Sequence, residues 1–115
     1  MNIYKIVGRT SVDIIKSGGY KISALDVERV ILSHPIISDC AVMGLRDEKW
    51  GQKVFALIEL KDEYIEEFDQ QGFKKWCSKS LPKYSIPSVI QITKKIPRNQ
   101  LGKVNKKELI KVYEN

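Results

Sequence analysis

Residues that commonly bind metal ions are scarce in this sequence. It has a single histidine, His34, and two cysteines, Cys40 and Cys77, which are too far apart to form a Cys-x-x-Cys pair. A zinc site needs about four ligands, so this inventory predicts no metal site. Both cysteines stand among apolar residues, which predicts buried thiols. His34 precedes Pro35 and is expected to lie at the end of a helix.

Long apolar runs are also absent. No stretch approaches the roughly 20 apolar residues that a membrane-spanning helix needs, and the N-terminus has no signal-peptide pattern. We therefore expect no membrane span. Strand-like sequence follows Met1 at once, which suggests an excised or truncated domain. Any targeting signal would then lie on a missing N-terminal part.

What the chain has is an excess of positive charge. Its 115 residues are enough for one domain, and the formal net charge is +6. A basic surface can bind nucleic acid or a small polyanion that carries several phosphates. No RNA-binding signature is present, and Phe73 and Trp76 are spaced as core residues, so nucleic acid is the less favoured partner. The basic residues of the second half include Lys74, Lys75, Lys79, Lys83, Lys94, Lys95, Arg98, Lys103, Lys106, Lys107 and Lys111.

Alternating and apolar runs predict several short strands. The second and third of them flank Gly18-Gly19 and are expected to form a hairpin. The fourth is closed by Gly44, and the fifth is apolar at nearly every position, as a central strand would be. The expected strands cover residues 3–9, 13–17, 20–22, 40–43, 54–60 and 89–93.

Helical spacing predicts about three helices. The first begins at Ser23, with Asp26 placed for a capping box, and ends at Pro35. The last runs from Asn105 to Glu114, with Asn105 as its cap. The middle helix carries Phe73, Trp76, Cys77 and Leu81, the polar segment 64–71 is a candidate for its beginning, and Gly72 is expected to interrupt it. The predicted fold class is α/β (α+β), a small mixed β-sheet with about three helices packed on it.

The segment from Ile96 to Lys106 is expected to present a lysine on a loop. Pro97 fixes its own φ and Gly102 permits a positive φ, so the two bracket a loop, and Lys103 follows the glycine directly. An ammonium held in this way can meet a phosphate as a point charge. The segment is not a Walker phosphate loop, because Pro97 and Val104 stand where that motif needs glycine and Ser or Thr. The alternative is a basic loop in solvent.

A second stretch, residues 8–22, also combines glycines with basic residues and reads Gly-Arg-Thr-Ser-Val-Asp-Ile-Ile-Lys-Ser-Gly-Gly-Tyr-Lys-Ile. Together with the lysine loop, it resembles the C-terminal domain of the adenylate-forming enzymes: acyl-CoA synthetases, firefly luciferase and the adenylation domains of peptide synthetases. His34-Pro35, Asp47 and Trp50-Gly51-Gln52 match as well, so the resemblance covers nearly the whole chain. Residues 8–21 and Ile-Pro-Arg-Asn-Gln are similar, more narrowly, to the malonate-activating branch.

The resemblance implies part of an ATP-dependent acid–thiol ligase. In that family a carboxylate reacts with ATP to give an acyl-adenylate and pyrophosphate, and the CoA thiol then displaces AMP. The C-terminal domain rotates between the two steps. The implied substrates are ATP, CoA and malonate, with Mg²⁺ bound to ATP outside this chain. Residues 1–115 would be inactive without their partner, a large N-terminal adenylation domain. The resemblance suggests a mitochondrial location, with the cytoplasm as the alternative.

The resemblance also assigns roles to basic residues. Lys103 corresponds to the catalytic lysine that bridges the acyl carboxylate and the α-phosphate during adenylation. Lys16 and Lys21 match positions that face the nucleotide during thioester formation, and Lys16 is expected to be catalytic there. Arg9 matches an arginine that holds the ribose hydroxyls.

The residues that the resemblance implies for CoA binding are Gly18, Gly19, Trp50, Gly51, Lys79 and Lys83. The first two match a turn that lines the pantetheine tunnel, where absent side chains leave room for a thin cofactor arm. The alternative is that they only form a hairpin turn. The other four fall where relatives touch the CoA nucleotide. The alternative for Trp50 is a core position.

The resemblance places the hinge of the domain rotation in Arg9 to Asp13, within a hinge and linker segment at residues 1–13. In the family the hinge residue lies two positions after the arginine, which is Ser11 here. The spacing from Arg9 to Lys16 is one residue longer than in many relatives, so counting back from Lys16 indicates Val12 instead. A function of a different class stays open beside the ligase: a basic interaction or nucleic-acid-binding module that keeps the fold without catalysis. Nucleic-acid binding would fall steeply with salt.

Overall fold

A computed structural model describes residues 11–114 of the chain. The strand expected at 3–9 and the predicted site residue Arg9 lie outside the described residues. In chain order the helices and strands are a 3-10 turn Ser11–Asp13, β1 Ile14–Ser17, β2 Tyr20–Ser23, α1 Ala24–Leu32, β3 Ile37–Asp47, β4 Gly51–Leu60, a 3-10 helix Asp62–Glu67, α2 Gln70–Cys77, a 3-10 turn Lys83–Ser85, β5 Val89–Thr93 and α3 Lys106–Glu114.

The strands form two sheets. β1 and β2 pair as an antiparallel hairpin, and β3, β4 and β5 form a three-stranded sheet with β4 in the middle. β3 runs antiparallel to β4, whereas β5 runs parallel to it. This mixed sheet with three α-helices confirms the predicted fold class.

Both faces of the three-stranded sheet are buried. Alternate residues of β3 and β4 face opposite sides, because successive side chains of a strand point to opposite faces. Val42, Ala56 and Ile58 pack with α1 and α2 on one side. Met43 and Leu57 pack with α3 on the other side. A strand covered on both faces reads as a continuous apolar run, which explains the sequence of β4.

Two glycines predicted to end or interrupt elements do neither. β3 continues through Gly44 to Asp47, and a side chain at Gly44 would come within 2.9 Å of the Gln52 amide. The glycine therefore makes room for Gln52 inside the sheet. Gly72 lies in the first turn of α2, where the Asp69 side chain accepts a hydrogen bond from its N–H at 3.0 Å. α2 begins at Gln70, within the expected segment 64–71, but Asp62–Glu67 forms a separate 3-10 helix. Leu81, which was expected on α2, lies beyond its end at Cys77.

The predicted helix caps are confirmed. The Ser23 hydroxyl accepts a hydrogen bond from Asp26 N at 3.3 Å, and the Asn105 side chain accepts one from Glu108 N at 3.2 Å. Each bond satisfies an N–H that has no partner within its own helix. Local sequence signals were therefore sufficient to place the start of α1 and of α3.

The cysteines and the histidine occupy the positions expected for packing residues. Cys40 and Cys77 are buried free thiols, and burial raises the pKa of Cys77 to about 11. His34 follows α1 and packs edge-on against Trp76, with ring centroids 4.6 Å apart, and burial lowers its pKa. Between residues 11 and 114, no helix is long and apolar enough to cross a membrane. The same residues contain no group of three His, Cys, Asp or Glu side chains that could hold a metal ion.

Candidate functional site

The loop that carries Lys103 is closed by hydrogen bonds to one side chain and its own backbone. Asn99 N donates to Lys103 O at 2.9 Å, and Gly102 N donates to Asn99 O at 2.9 Å. The Asn99 side chain accepts from Leu101 N at 2.9 Å and from Lys103 N at 3.0 Å. Gly102 has φ 81°, a conformation that favours glycine. Lys103 is exposed. The predicted loop geometry is therefore present, with Asn99 as the residue that shapes it.

The β1–β2 hairpin places two predicted nucleotide-facing lysines side by side. Lys16 and Lys21 are directly opposite each other in the ladder, and both are exposed. The preceding pair, Ile15 and Ile22, is buried on the other face. Like charges in directly opposite positions destabilise a sheet. A negatively charged group bound beside the two ammonium groups would relieve this repulsion.

Gln52 attaches the hairpin to the larger sheet. Its side-chain oxygen accepts a hydrogen bond from Lys16 N at 2.7 Å, and the absence of a side chain at Gly44 leaves space for its amide. The backbone that carries Lys16 is thus held by β4. The sequence showed Gln52 only as part of the family-like Trp50-Gly51-Gln52, and its contact with Lys16 was not predicted.

The hairpin turn packs against the turn between β3 and β4. Gly18 N donates to Trp50 O at 3.0 Å, and the Asp47 side chain accepts from Trp50 N at 2.8 Å. Gly18 and Gly19 have φ values of 57° and 87°, so the predicted hairpin turn is confirmed. A Cβ at Gly18 would lie 3.0 Å from the Trp50 ring, whereas one at Gly19 would meet no atom within 4 Å. Only Gly18 is therefore required by close packing.

The first cavity, of about 610 Å³, brings together three of the predicted CoA-binding residues. Gly18, Trp50 and Lys83 line it. Trp50 is 52% exposed, so its alternative as a core residue is wrong. Trp50 lies in the turn between β3 and β4, and one side of its ring faces Gly18 of the hairpin turn. Gly19, Gly51 and Lys79 are not among the described residues that line this cavity.

Two tyrosines that were not predicted as site residues line the same cavity. The rings of Tyr20 and Tyr84 stack with centroids 3.8 Å apart and planes 4° apart, and each is about half exposed. Lys53 and Lys83 are two cations among the lining residues, which also include the carboxylate of Asp47. An exposed aromatic face next to ammonium groups suits a planar base attached to phosphates. The one sequence signal for Tyr84 was its position directly after Lys83.

A second cavity, of about 600 Å³, lies at the lysine loop. Lys103 lines it together with Arg98 and Lys107, and so does Val12, one of the two predicted hinge residues. Ser11, the other, begins the 3-10 turn at Ser11–Asp13. Among the described residues, none lines both cavities. The structure therefore separates the Lys103 loop from the surface formed by Gly18, Trp50 and Lys83.

One member of the predicted basic surface is buried instead. Lys106 is 9% exposed, and its ammonium lies 2.7 Å from Asp13 and 2.8 Å from Glu28. Its charge is therefore neutralised inside the domain and is not available to a phosphate. The polar sequence around Lys106 gave no sign of this burial, because both carboxylates are distant in sequence.

Comparison with known proteins identifies the family. Residues 26–103 match the AMP-binding enzyme C-terminal domain. The chain belongs to this family. The resemblance read from residues 8–22 and from the lysine loop is thereby confirmed.

The relatives are longer than this chain. A mitochondrial malonate–CoA ligase, ACSF3, from Bos taurus is 50% identical over 108 residues, which cover 94% of this chain and 18% of the relative. A malonate–CoA ligase from Arabidopsis thaliana is 41% identical over 120 residues, which cover 97% of this chain and 20% of the relative. The solved structure of a Mycobacterium tuberculosis fatty acyl CoA synthetase has a TM-score of 0.81 at 34% identity. The match covers 89% of this chain and 20% of the synthetase. The chain thus spans about a fifth of the length of these relatives.

Proposed function

We propose that this chain is the C-terminal domain of an ATP-dependent malonate–CoA ligase and that it serves the two half-reactions from two different faces. The observation that carries the proposal is the separation of Lys103 from the surface formed by Gly18, Trp50 and Lys83, which lie at different cavities. Both half-reactions act on the same acyl group. A domain with one face for each of them must turn between the steps.

Lys103 would act in adenylation. An oxygen of the substrate carboxylate attacks the α-phosphorus of ATP, and the bond to pyrophosphate breaks. Negative charge grows around the phosphorus during the transfer. An ammonium held by a pre-formed loop stabilises that charge without reorganising. The Asn99 bonds to the backbone on both sides of Gly102 supply this pre-formed geometry. Arg9 would hold the ribose hydroxyls of the same nucleotide.

The first cavity would act in thioester formation, in which the CoA sulfur attacks the acyl carbon and AMP leaves. We place the adenine of CoA against the Tyr20–Tyr84 stack and its phosphates near Lys53 and Lys83. Gly19, where a Cβ would meet no atom within 4 Å, would leave space for the pantetheine arm at the edge of the cavity, and Gly18 would let the turn approach the Trp50 ring. Lys79 and Gly51 would contribute only at the edge of this surface, since neither lines the cavity.

Lys16 and Lys21 would face the departing AMP in the second step. Their opposite positions in the hairpin put two positive charges at one place, and the α-phosphate would lie between them. Ser11 or Val12 would be the pivot. The 3-10 turn at Ser11–Asp13 is followed directly by β1, so a rotation there carries the whole domain with it.

The proposed partners follow from the same assignment. They are malonate, ATP, CoA and the N-terminal adenylation domain of the complete ligase. Mg²⁺ would enter with ATP and be bound outside this chain. The mitochondrion is the proposed compartment and the cytoplasm its alternative, which fractionation of cells would distinguish. None of the relatives supports the alternative of a nucleic-acid-binding module.

The test measures each half-reaction separately in the complete ligase that carries this domain. Lys103→Ala should lower malonate-dependent pyrophosphate exchange by about 10²–10³-fold, the usual effect of losing one pre-organised donor. It should leave thioester formation from supplied malonyl-adenylate intact. Lys16→Ala should do the reverse. Equal loss of one half-reaction in both variants would overturn the proposal.

A simpler observation tests whether the chain needs its partner. The isolated chain of 115 residues should form no thioester from malonate, ATP and CoA. Adding the N-terminal adenylation domain as a separate polypeptide should restore part of the activity. Turnover by the isolated chain would contradict the assignment.

A further inference from the structure

Two acidic side chains on neighbouring strands hold the loop that carries Lys103. Asp39 in β3 and Glu59 in β4 are directly opposite in the ladder, where like charges normally destabilise a sheet. Each has its own donor. Glu59 accepts a hydrogen bond from Ile96 N at 3.0 Å, and Asp39 binds the Arg98 guanidinium. The sheet therefore carries two acceptors placed at the start of the lysine loop.

The contact between Arg98 and Asp39 is bidentate. Arg98 Nε donates to Asp39 Oδ2 at 2.9 Å and Nη2 donates to Asp39 Oδ1 at 2.7 Å. Asp39 is itself oriented by the bond that its carboxylate accepts from Cys40 N at 2.8 Å. Hydrogen bonding to Asp39 raises the pKa of Arg98. Paired charged hydrogen bonds of this kind fix the direction of the guanidinium plane as well as its position.

The same guanidinium reaches the backbone beside Lys103. Arg98 Nη1 donates to Gly102 O at 2.6 Å. The carbonyl of Gly102 belongs to the peptide bond that leads into Lys103. Arg98 thus joins a rigid strand to the tip of the loop, and all three of its nitrogens are used within the domain.

The loop depends on this connection because little else ties its tip to the domain. Leu101 is 81% exposed, and Gly102 and Lys103 are exposed as well. The hydrogen bonds of Asn99 close the loop on itself without attaching it to the sheet. Ile96, which is 1% exposed, anchors the beginning of the loop, and the half-buried Val104 packs against the core at its end. Neither contact reaches the exposed tip at Leu101 and Gly102.

We propose that Arg98 and Asp39 form a clamp that positions Lys103 for the adenylation half-reaction. Arg98 is then a positioning residue that acts through Lys103. The inference rests on the proposed function, since it assumes that Lys103 acts in adenylation. The clamp adds a requirement to the proposed function: Asp39 of β3, which lies outside the loop, must hold the loop through Arg98.

The decisive variant is Asp39→Asn, measured in the complete ligase. Asparagine keeps the size of the side chain and an oxygen for Cys40 N, but it loses the bidentate contact with Arg98. We expect kcat for malonate-dependent pyrophosphate exchange to fall about 10- to 100-fold, since a displacement of about 1 Å can cost about 10²-fold. The KM for ATP and thioester formation from malonyl-adenylate should change less than twofold.

Arg98→Lys and the double variant complete the test. Lysine keeps the positive charge but lacks the planar fork, so it should reproduce the loss. The double variant Arg98→Lys/Asp39→Asn should be no worse than either single variant, because both remove one connection. The control is Arg29→Ala, which breaks an exposed arginine–aspartate pair with Asp26 on α1 and should leave exchange unchanged.

Three outcomes would count against the clamp. If Arg98→Lys loses exchange while Asp39→Asn retains it, Arg98 touches the nucleotide directly. If both half-reactions and the melting temperature fall together, the pair only stabilises the domain. If neither variant matters while Lys103→Ala abolishes exchange, the loop needs no clamp. Failure of the proposed function is a separate result: Lys103→Ala would then leave exchange unchanged.

Discussion

The ammonium of Lys106 lies 2.7 Å from Asp13 Oδ1, although the two residues are 93 positions apart in the sequence. Lys106 begins α3, three residues after Lys103, and Asp13 directly precedes β1. Glu28 of α1 completes the cluster at 2.8 Å and also accepts a hydrogen bond from Val42 N at 2.7 Å. The segment next to the proposed hinge is therefore joined to the segment that carries the lysine loop.

Lys106→Met should destabilise the domain by about 3–5 kcal/mol, because it leaves the buried carboxylate of Asp13 and the half-buried carboxylate of Glu28 beside the point that the ammonium occupied. Urea unfolding measures the change. Lys107→Met is the matched control, since Lys107 is exposed, and it should shift the unfolding free energy by less than about 0.5 kcal/mol. Equal stability of the two variants would mean that the cluster contributes nothing.

Two substitutions at Gly19 separate the conformation of the turn from the space above it. Both Gly19→Ala and Gly19→Leu place a side chain at φ 87°, which costs about 1–2 kcal/mol. Neither meets an atom within 4 Å at Cβ. Leucine alone projects further, into the proposed pantetheine path. We expect Gly19→Leu to lower thioester formation much more than Gly19→Ala does, with adenylation spared in both. A similar loss in both variants would assign the effect to the turn.

The tyrosine stack predicts a difference between CoA and pantetheine. Tyr84→Ala removes one ring of the platform, and stacking of a base on an aromatic ring is worth about 1–3 kcal/mol. The KM for CoA should therefore rise about 5- to 100-fold. The KM for pantetheine, which lacks the nucleotide, should not change. Tyr64→Ala serves as the control because Tyr64 lies in the 3-10 helix Asp62–Glu67, away from this cavity. An equal effect on both thiols would contradict an adenine site.

The two thiols should resist alkylation in the folded chain. Burial raises the pKa of Cys77 to about 11, and burial together with Glu28 and Asp39 raises the pKa of Cys40. At pH 8 both thiols stay protonated, and only the thiolate reacts quickly. Iodoacetamide followed by mass spectrometry should label neither until urea unfolds the chain. Rapid labelling of Cys77 without urea would show that the α2 face opens.

Several features with a local signal were predicted correctly from the sequence. The strand at Val89–Thr93 has the predicted bounds, and Ser23 and Asn105 cap the helices they were expected to cap. The turn at Gly18-Gly19 and the exposed Lys103 loop are also where glycine placed them. Each of these features depends on backbone preferences and on hydrogen bonds within about four residues, which the order of residues determines directly.

What only the tertiary structure decided concerns partners that are distant in sequence. Apolar residues that recur at helix or strand spacing are predicted to be buried. Trp50 belongs to no such pattern, and only the structure shows that it is exposed. Gly44 continues a strand because Gln52 needs the space, and Lys106 is buried because two carboxylates meet it.

The same holds for the contacts that position the site. Gln52 reaches Lys16 across 36 positions, and Arg98 reaches Asp39 across 59. Tyr20 stacks on Tyr84 only because the β1–β2 hairpin packs beside the turn after α2. The sequence by itself determined which residues could do chemistry and the loops that carry them. Folding decided which of them meet, because a charge or a ring has no preferred partner until the sheet brings one within about 4 Å.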